Sequence, residues 1–215
     1  MALKTVDREV PWINKTAWQW PDGDTGLLEA FYDVRHIESI MHHVGGRRLC
    51  VQAGGAAGVW PLRYSQLFER VITFEPNRVL YEALYENTYR ATNITRLHAA
   101  LGPAFRFGSM ATPAGRECNL GAWYVSMQPG DVIVLPLDML GLADVGLIQL
   151  DVEGAETEAL MGAAATIERC RPVIVIEQKP LPQAGPPNAR QWLEGRHRYR
   201  VAANLARDVV MVPLP

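Results

Sequence analysis

Leu49-Cys50-Val51-Gln52-Ala53-Gly54-Gly55-Ala56-Ala57-Gly58 reads as a strand that runs into a glycine turn and then a helix. A short apolar run, Leu49 to Val51, enters a turn of small residues, and the pattern that follows is helical. Residues 59–69 put Val59, Leu62, Leu67 and Phe68 on one side, with Pro61 tolerated in the first turn. Small residues at a strand-to-helix turn let a ligand approach the backbone, and the helix start offers free N–H groups. The unit then repeats. Val71-Ile72-Thr73-Phe74 reads as a strand, residues 78–90 as a helix through Leu80, Leu84 and Tyr85, and Ile94 to Leu101 as a third strand. Such alternation implies an α/β fold, a parallel sheet with helices on both faces.

Further along, residues 102–130 interrupt the alternation with repeated glycines and prolines, and short hairpin strands are expected at 104–109 and 121–126. Val132 to Leu135 is another short strand. Leu147-Ile148-Gln149-Leu150 leads into a helix over about 155–169, whose inward stripe is Ala155, Ala159, Leu160, Ala163 and Ile167. The β-branched run Val173 to Ile176 suits a strand buried on both faces. Residues 181–188 are a Pro-rich linker, 189–195 a short helix, and Tyr199–Ala203 pairs antiparallel with Val209–Val212 across Arg207-Asp208. Upstream, residues 1–45 form an irregular extension that reads as a lid. It holds Pro11, Trp12, Trp18, Trp20 and Pro21, a turn at Asp22-Gly23-Asp24, and one helix over 27–44 through Leu27, Leu28, Phe31, Val34, Ile37, Ile40 and Met41, ended by Gly45-Gly46. Residues 46–215 are the α/β domain.

Composition narrows the function classes. The 215 residues are 48% hydrophobic, and 21 basic side chains against 23 acidic ones leave a net charge of −2, which disfavours nucleic-acid binding by phosphate neutralisation. No apolar run suits a membrane span or a signal peptide. Cys50, Cys118 and Cys170 are odd in number and far apart, with neither metal-site spacing nor disulfide density, so a reducing cytoplasm is the expected setting.

Two acidic features sit at strand ends. Glu75 closes the second strand about twenty residues after the glycine turn, where a carboxylate can accept hydrogen bonds from both ribose hydroxyls. Glycine turn and acid together read as an adenosine-cofactor site, for a dinucleotide or for S-adenosylmethionine. Leu150-Asp151-Val152-Glu153-Gly154-Ala155-Glu156 carries three acids at a strand-to-helix switch. Asp151 and Glu153, two apart, point to one side of an extended chain, while Glu156 falls in the helix's first turn, where the dipole favours an anion. Glu177 ends the next strand at the same edge. Ligands of open parallel sheets bind at that edge, so both features face one crevice. Carboxylates also suit Mg²⁺ or Mn²⁺, but no metal is assigned. His42-His43 reads as the end of the extension helix, since neighbouring positions face different sides.

Gln52-Ala-Gly-Gly-Ala-Ala-Gly58, Thr73-Phe-Glu-Pro-Asn77, His98-Ala-Ala-Leu-Gly102, Leu150-Asp-Val-Glu-Gly-Ala-Glu156 and Arg171-Pro-Val-Ile-Val-Ile-Glu177 occur in that order. With these blocks the sequence resembles the FkbM-type family of class I S-adenosylmethionine-dependent methyltransferases over about residues 47–177. The resemblance implies a Rossmann-like sheet, mostly parallel with an antiparallel C-terminal strand. It implies S-adenosylmethionine held by Gly54, Gly55 and Gly58 at the methionine end, where Gln52 also stands, by Glu75 at the ribose and by Pro76 and Asn77 at the adenine, with Ala53, Ala100 and Leu101 among the other cofactor-binding residues. Asp151 and Glu153 would lie near the transferable methyl as the catalytic carboxylates, with Asp151 also touching the cofactor. His98, Asn119, Trp123 and Glu177 are candidates for the acceptor side. One residue departs from the family pattern: Gln52 stands where an Asp is usual.

The expected activity is methyl transfer to a hydroxyl of a sugar or other small molecule. Hydride transfer with a nicotinamide dinucleotide is the weaker enzymatic reading, because no convincing Tyr–Lys relay is present. A non-catalytic binding protein on the same fold is the third, and Gln52 is the feature that favours it. The apolar extension helix offers a surface for a second copy of the chain.

Overall fold

The structure is a computed structural model, and it describes residues 1–10, 12–25, 30–177 and 187–215. Pro11, the Leu27-Leu28 start of the expected extension helix and most of the expected linker at 181–188 lie outside the described residues. In chain order the elements are β1 (Leu3–Asp7), β2 (Ala17–Pro21), α1 (Ala30–Asp33), α2 (Ile37–Met41), β3 (Leu49–Ala53), α3 (Val59–Ser65), β4 (Arg70–Phe74), α4 (Arg78–Thr88), β5 (Ile94–Leu97), β6 (Ala100–Leu101), β7 (Arg106–Ala111), β8 (Tyr124–Ser126), β9 (Val132–Leu135), β10 (Val145–Leu150), α5 (Glu156–Met161), α6 (Ala164–Cys170), β11 (Val173–Glu177), α7 (Ala189–His197), β12 (Tyr199–Asn204) and β13 (Asp208–Pro213).

Seven strands form the central sheet in the order β12-β13-β11-β10-β3-β4-β5. The β3–β4, β4–β5, β3–β10 and β10–β11 pairs are parallel, and β13 runs antiparallel between β11 and β12. The strand order reverses beside β3, so the switch point at which α/β sheets bind ligands is the carboxyl end of β3. One face of the sheet packs on α3, α4 and the N-terminal extension through Cys50, Val71, Leu147 and Val175. The other packs on α5, α6 and α7 through Val51, Ile72, Ile148 and Ile174. Both faces are therefore covered, which explains the unbroken apolar runs of the central strands.

The extension is more ordered than expected. Its first residues form a β1–β2 antiparallel hairpin with Leu3 opposite Pro21. Trp18 (0% exposed) and Trp20 (2%) bury between that hairpin and Phe31, one edge-on and one stacked. The Asn87 side chain on α4 accepts from the Gln19 N–H (2.7 Å) and donates to the Gln19 and Ala57 carbonyls (both 2.8 Å), docking β2 beside the glycine turn. The expected extension helix is broken within its described part: α1, a short 3-10 segment Val34–His36, and α2.

Two other expectations are corrected. The third strand ends at Leu97; Ala100 and Leu101 leave the central sheet and pair with β9 in a separate four-stranded sheet, β6-β9-β7-β8. That sheet contains the expected hairpin, with Ser109 opposite Ser126, and places Val132–Leu135 against β7. The helix expected over 155–169 is two helices. It breaks at Gly162, where a Cβ would lie 2.0 Å from the Gly102 carbonyl oxygen, and Asp138 restarts it by accepting the Ala165 and Thr166 N–H groups (2.9 and 2.8 Å).

Candidate functional site

On the face bearing α3 and α4, side chains climb in tiers toward the carboxyl ends of the strands. The lowest tier, Val71, Cys50, Leu147 and Val173, is apolar and buried. Above it stand Thr73, Gln52 and Gln149, polar, uncharged and buried, with Gln52 in register with both neighbours. The top tier runs Glu75, Gly54, Asp151 and Glu177, and Glu177 is in register with Asp208. The sequence thus grades from apolar to anionic over a few residues, and the one position at the edge without a side chain belongs to β3.

A cavity of about 510 Å³ opens over that tier, within the usual range for small-molecule sites. Ala53, Gly54, Gly55, Glu75, Pro76, Asn77, Ala100, Leu101, Asp151, Glu153, Asn119, Trp123 and Glu177 all line it. Three of the expected site residues do not. Gln52 is fully buried beneath the turn; its Oε1 accepts the Thr73 hydroxyl (2.6 Å) and its Nε2 donates to the Gly54 and Ala53 carbonyls (2.8 and 3.3 Å). Gly58 precedes α3 with φ +89°, where a Cβ would press on Thr88 and Leu84, so it serves packing. His98 lies on the outside, stacked on Tyr81 with Nε2 3.1 Å from the Pro76 carbonyl oxygen.

Gly54 makes the turn possible. Its φ is +85°, and a Cβ there would lie 1.9 Å from the Asp151 carbonyl oxygen. The Gly54 and Gly55 N–H groups both donate to the Phe74 carbonyl (3.0 and 2.9 Å), which ties the turn to the end of β4. Glu75, 4% exposed, accepts from the Ala56 N–H on one oxygen and the Asn77 N–H on the other, both at 2.8 Å. Burial pushes its carboxyl up to about 7 against the downward pull of those two N–H groups. Asn77 also caps α4, its Oδ1 accepting from Val79 and Leu80.

Across β3, the Asp151-Val152-Glu153-Gly154 turn is held in left-handed backbone, with Glu153 at φ +54° and Gly154 at φ +99°. Glu156 braces it: its Oε1 accepts the Val152 and Gly154 N–H groups (3.3 and 3.1 Å). Glu156 therefore acts on the turn before the helix, more than as the dipole partner expected of it. Oxygens of Asp151, Glu153 and Glu177 lie within 4.8 Å of one another. Asp151 has protein atoms on several sides at the base of the cavity, yet the residue is exposed there. That enclosure, then the charges of Glu177, Asp208 and Glu153, push its carboxyl up to about 8, with Arg207 opposing. Asp208 rises to about 6, chiefly through burial and then Asp33.

The cavity has a roof. The Asp24 carboxylate accepts from the Leu120 N–H (3.0 Å) and the Trp20 indole N–H (3.3 Å), and the Thr25 N–H donates to the Cys118 carbonyl (2.9 Å). These bonds join the N-terminal extension to the 102–130 insertion. At the opposite end Asp33 pairs with Arg207 at 2.6 Å, and both line the cavity. Sequence reasoning missed Asp33, Arg207, Trp60, Arg106 and Arg116 as lining residues. Arg207 was legible only as a turn residue, and nothing local marks an acid in the extension as a partner for it.

A glycine turn, an acid on the strand to one side of it and an Asp-Val-Glu-Gly turn on the other thus enclose one cavity at the switch point of the sheet. The methyltransferase FkbM domain matches residues 60–201. The chain belongs to that family. Its fold recurs in solved structures at low identity. The T. thermophilus 16S rRNA N2 G1207 methyltransferase, solved with AdoMet and guanosine, superposes with a TM-score of 0.52 at 13% identity over 98% of this chain and 50% of its own. The precorrin-6y C5,15-methyltransferase of Geobacter metallireducens GS-15 gives 0.51 at 13% identity over 89% and 94%. The FkbM methyltransferase of Methylobacillus flagellatus KT is 20% identical over 77% of this chain, with a TM-score of 0.47, and this chain spans 43% of it. No curated protein matches the sequence.

The residues lining this cavity fit S-adenosylmethionine. Glu75 offers acceptor oxygens to a ribose, Gly54 leaves backbone bare at the end of β3, and carboxylates face the side where a sulfonium and an ammonium need anions. Among the described residues no helix is long and apolar enough to cross a membrane.

Proposed function

We propose that this chain is an S-adenosylmethionine-dependent methyltransferase acting on a hydroxyl oxygen of a small-molecule acceptor, such as a sugar. The observation that carries the reading is the placement of Glu75 and the Asp151–Glu153–Glu177 group on either side of Gly54 in one cavity. Glu75, Pro76 and Asn77 hold the nucleoside. Ala100 and Leu101 border the adenine, and Asp151 and Glu153 stand by the reacting groups.

The bound donor supplies an activated methyl electrophile. What the chain must add is position and a proton acceptor. Holding the acceptor oxygen in line removes the entropic part of the barrier. The hydroxyl becomes a better nucleophile as its proton passes to a carboxylate, and Glu153, lining the cavity beside Asp151, is placed to take it. Asn119 and Trp123 on the insertion, with Glu177, face the acceptor. A cavity of about 510 Å³ that must hold donor and acceptor together favours a small acceptor. The extension and insertion, joined through Asp24, act as the lid that keeps water out.

The test is transfer of a tritiated methyl from the donor to a panel of sugars, aminosugars and phenols, in wild type and Glu153→Gln. The expected result is labelled, base-stable product for a hydroxyl acceptor, reduced roughly 10²-fold or more in the variant, the usual scale for general-base catalysis. Product labelled on nitrogen alone would overturn the oxygen assignment. Gln52 favours a second reading, donor binding without transfer; tight donor binding with no labelled product across the panel would select it.

A further inference from the structure

Gln52 occupies the position of an acid and cannot do an acid's work. It is fully buried, and both ends of its amide are engaged, Oε1 with Thr73 and Nε2 with the Gly54 and Ala53 carbonyls. Its Nε2 takes up the Gly54 carbonyl that the turn would otherwise present. A ligand with an amino-acid end at this turn must find its anion elsewhere.

The neighbouring strand supplies one. The Asp151 N–H donates to the Ala53 carbonyl at 3.1 Å, and the Asp151 carbonyl is the group that forbids a Cβ at Gly54. Gln149, two residues earlier on β10 and pointing to the same face, is the register partner of Gln52. Asp151 is thus one tier above Gln52's neighbour and immediately beside the bare backbone of the turn. The other carboxylates of the cavity are placed less well. Glu75 follows β4, on the other side of β3, and its oxygens accept the Ala56 and Asn77 N–H groups at the nucleoside end; Glu177 stands one strand further out, and Glu153 lies within the left-handed bend.

We propose that Asp151 is the counter-ion of the cofactor's α-ammonium, replacing the acid absent at position 52, and that Gln52 is a positioning residue that holds the glycine turn. This rests on the S-adenosylmethionine reading of the cavity. It divides the carboxylate pair: Asp151 binds the donor, and Glu153 is left to serve the acceptor. Crowding supports it, because Asp151 shares its surroundings with Glu177, Asp208 and Glu153, whose charges Arg207 offsets only in part, and a ligand cation relieves that repulsion.

The experiment is calorimetry of the full chain with two probes, S-adenosylhomocysteine and 5′-methylthioadenosine, which share the nucleoside and thioether, while only the first carries the amino-acid end with its α-ammonium and α-carboxylate. In Asp151→Asn, S-adenosylhomocysteine affinity is expected to fall about tenfold or more, the scale of a hydrogen bond to a charged group, with methylthioadenosine affinity unchanged. In Glu177→Gln the loss of S-adenosylhomocysteine affinity is expected to be smaller than in Asp151→Asn, with methylthioadenosine again unchanged. Unchanged S-adenosylhomocysteine affinity in Asp151→Asn would overturn the assignment. So would equal loss of both probes, which would place Asp151 at the nucleoside, or loss in Glu177→Gln alone, which would make Glu177 the counter-ion. Wild-type protein that binds neither probe would instead bring down the cofactor reading itself.

Discussion

Gly54 is the residue on which the site turns, because the chain must bend left-handed there while passing within touching distance of β10. Gly54→Ala is expected to cost about 1–3 kcal/mol from the positive φ alone, and more from displacing the Asp151 carbonyl. The Tm should drop and S-adenosylhomocysteine binding should be lost together; a variant with wild-type Tm and affinity would show that the turn is not constrained as described. Gly54, Glu75 and Asp151 were legible in the sequence for a common reason. A small-residue turn and acids at strand ends need only local pattern to be placed on one edge. Gln52 and His98 were not, because their roles depend on partners across the sheet: Thr73 draws Gln52 into the interior, and Tyr81 with the Pro76 carbonyl holds His98 outside the cavity.

Among the elements, the five parallel strands could be read from short apolar runs, whereas breaks between elements could not. Ala163 and Ile167 keep their inward stripe through the α5–α6 break, so periodicity alone predicts one helix. What breaks it is the approach of the Gly102 carbonyl to Gly162 and the cap from Asp138, both distant in sequence. Asp138→Ala removes three acceptor contacts, to the Ala165 and Thr166 N–H groups and the Thr166 hydroxyl. The expected loss is about 1–2 kcal/mol by chemical denaturation, as for other N-caps. A loss within about 0.5 kcal/mol, the range of ordinary surface substitutions, would mean that the cap does not hold α6 in place. The β1–β2 hairpin escaped notice because its strands are rich in Trp, Pro and charge, with no clean alternation until Trp18 and Trp20 find Phe31.

Across the whole molecule, one edge of the sheet concentrates negative charge, and this sets a pH dependence. Burial raises Glu75 to about 7 and Asp208 to about 6 from ordinary carboxylate values; Asp151 is driven up as well, by its enclosure and then by Glu177, Asp208 and Glu153, but it is exposed to the cavity and solvent screens its share. Carboxyls whose folded pKa is raised hold their protons better folded than unfolded. Their contribution to stability is complete below the unfolded pKa and is lost as pH rises through the folded one. The ligand-free protein is therefore expected to melt at a lower temperature near about pH 8 than near about pH 5. Glu75, the most enclosed, contributes most, so Glu75→Gln should flatten the slope, and bound S-adenosylhomocysteine should restore the Tm at the higher pH. A Tm that rises over that interval, with the same slope in the variant, would contradict this balance. The edge is thus less stable empty than filled, as expected where carboxylates are kept for a cation-bearing ligand.

Whether Glu75 and Asp151 flank one nucleoside site for S-adenosylmethionine is decided by calorimetry of the full chain with S-adenosylhomocysteine and with NAD, in wild type and Glu75→Ala. The expected result is saturable one-to-one binding of S-adenosylhomocysteine, weakened by about 1–3 kcal/mol in the variant, and no comparable heat with NAD. Tight binding of NAD without S-adenosylhomocysteine, or an affinity indifferent to Glu75, would contradict it.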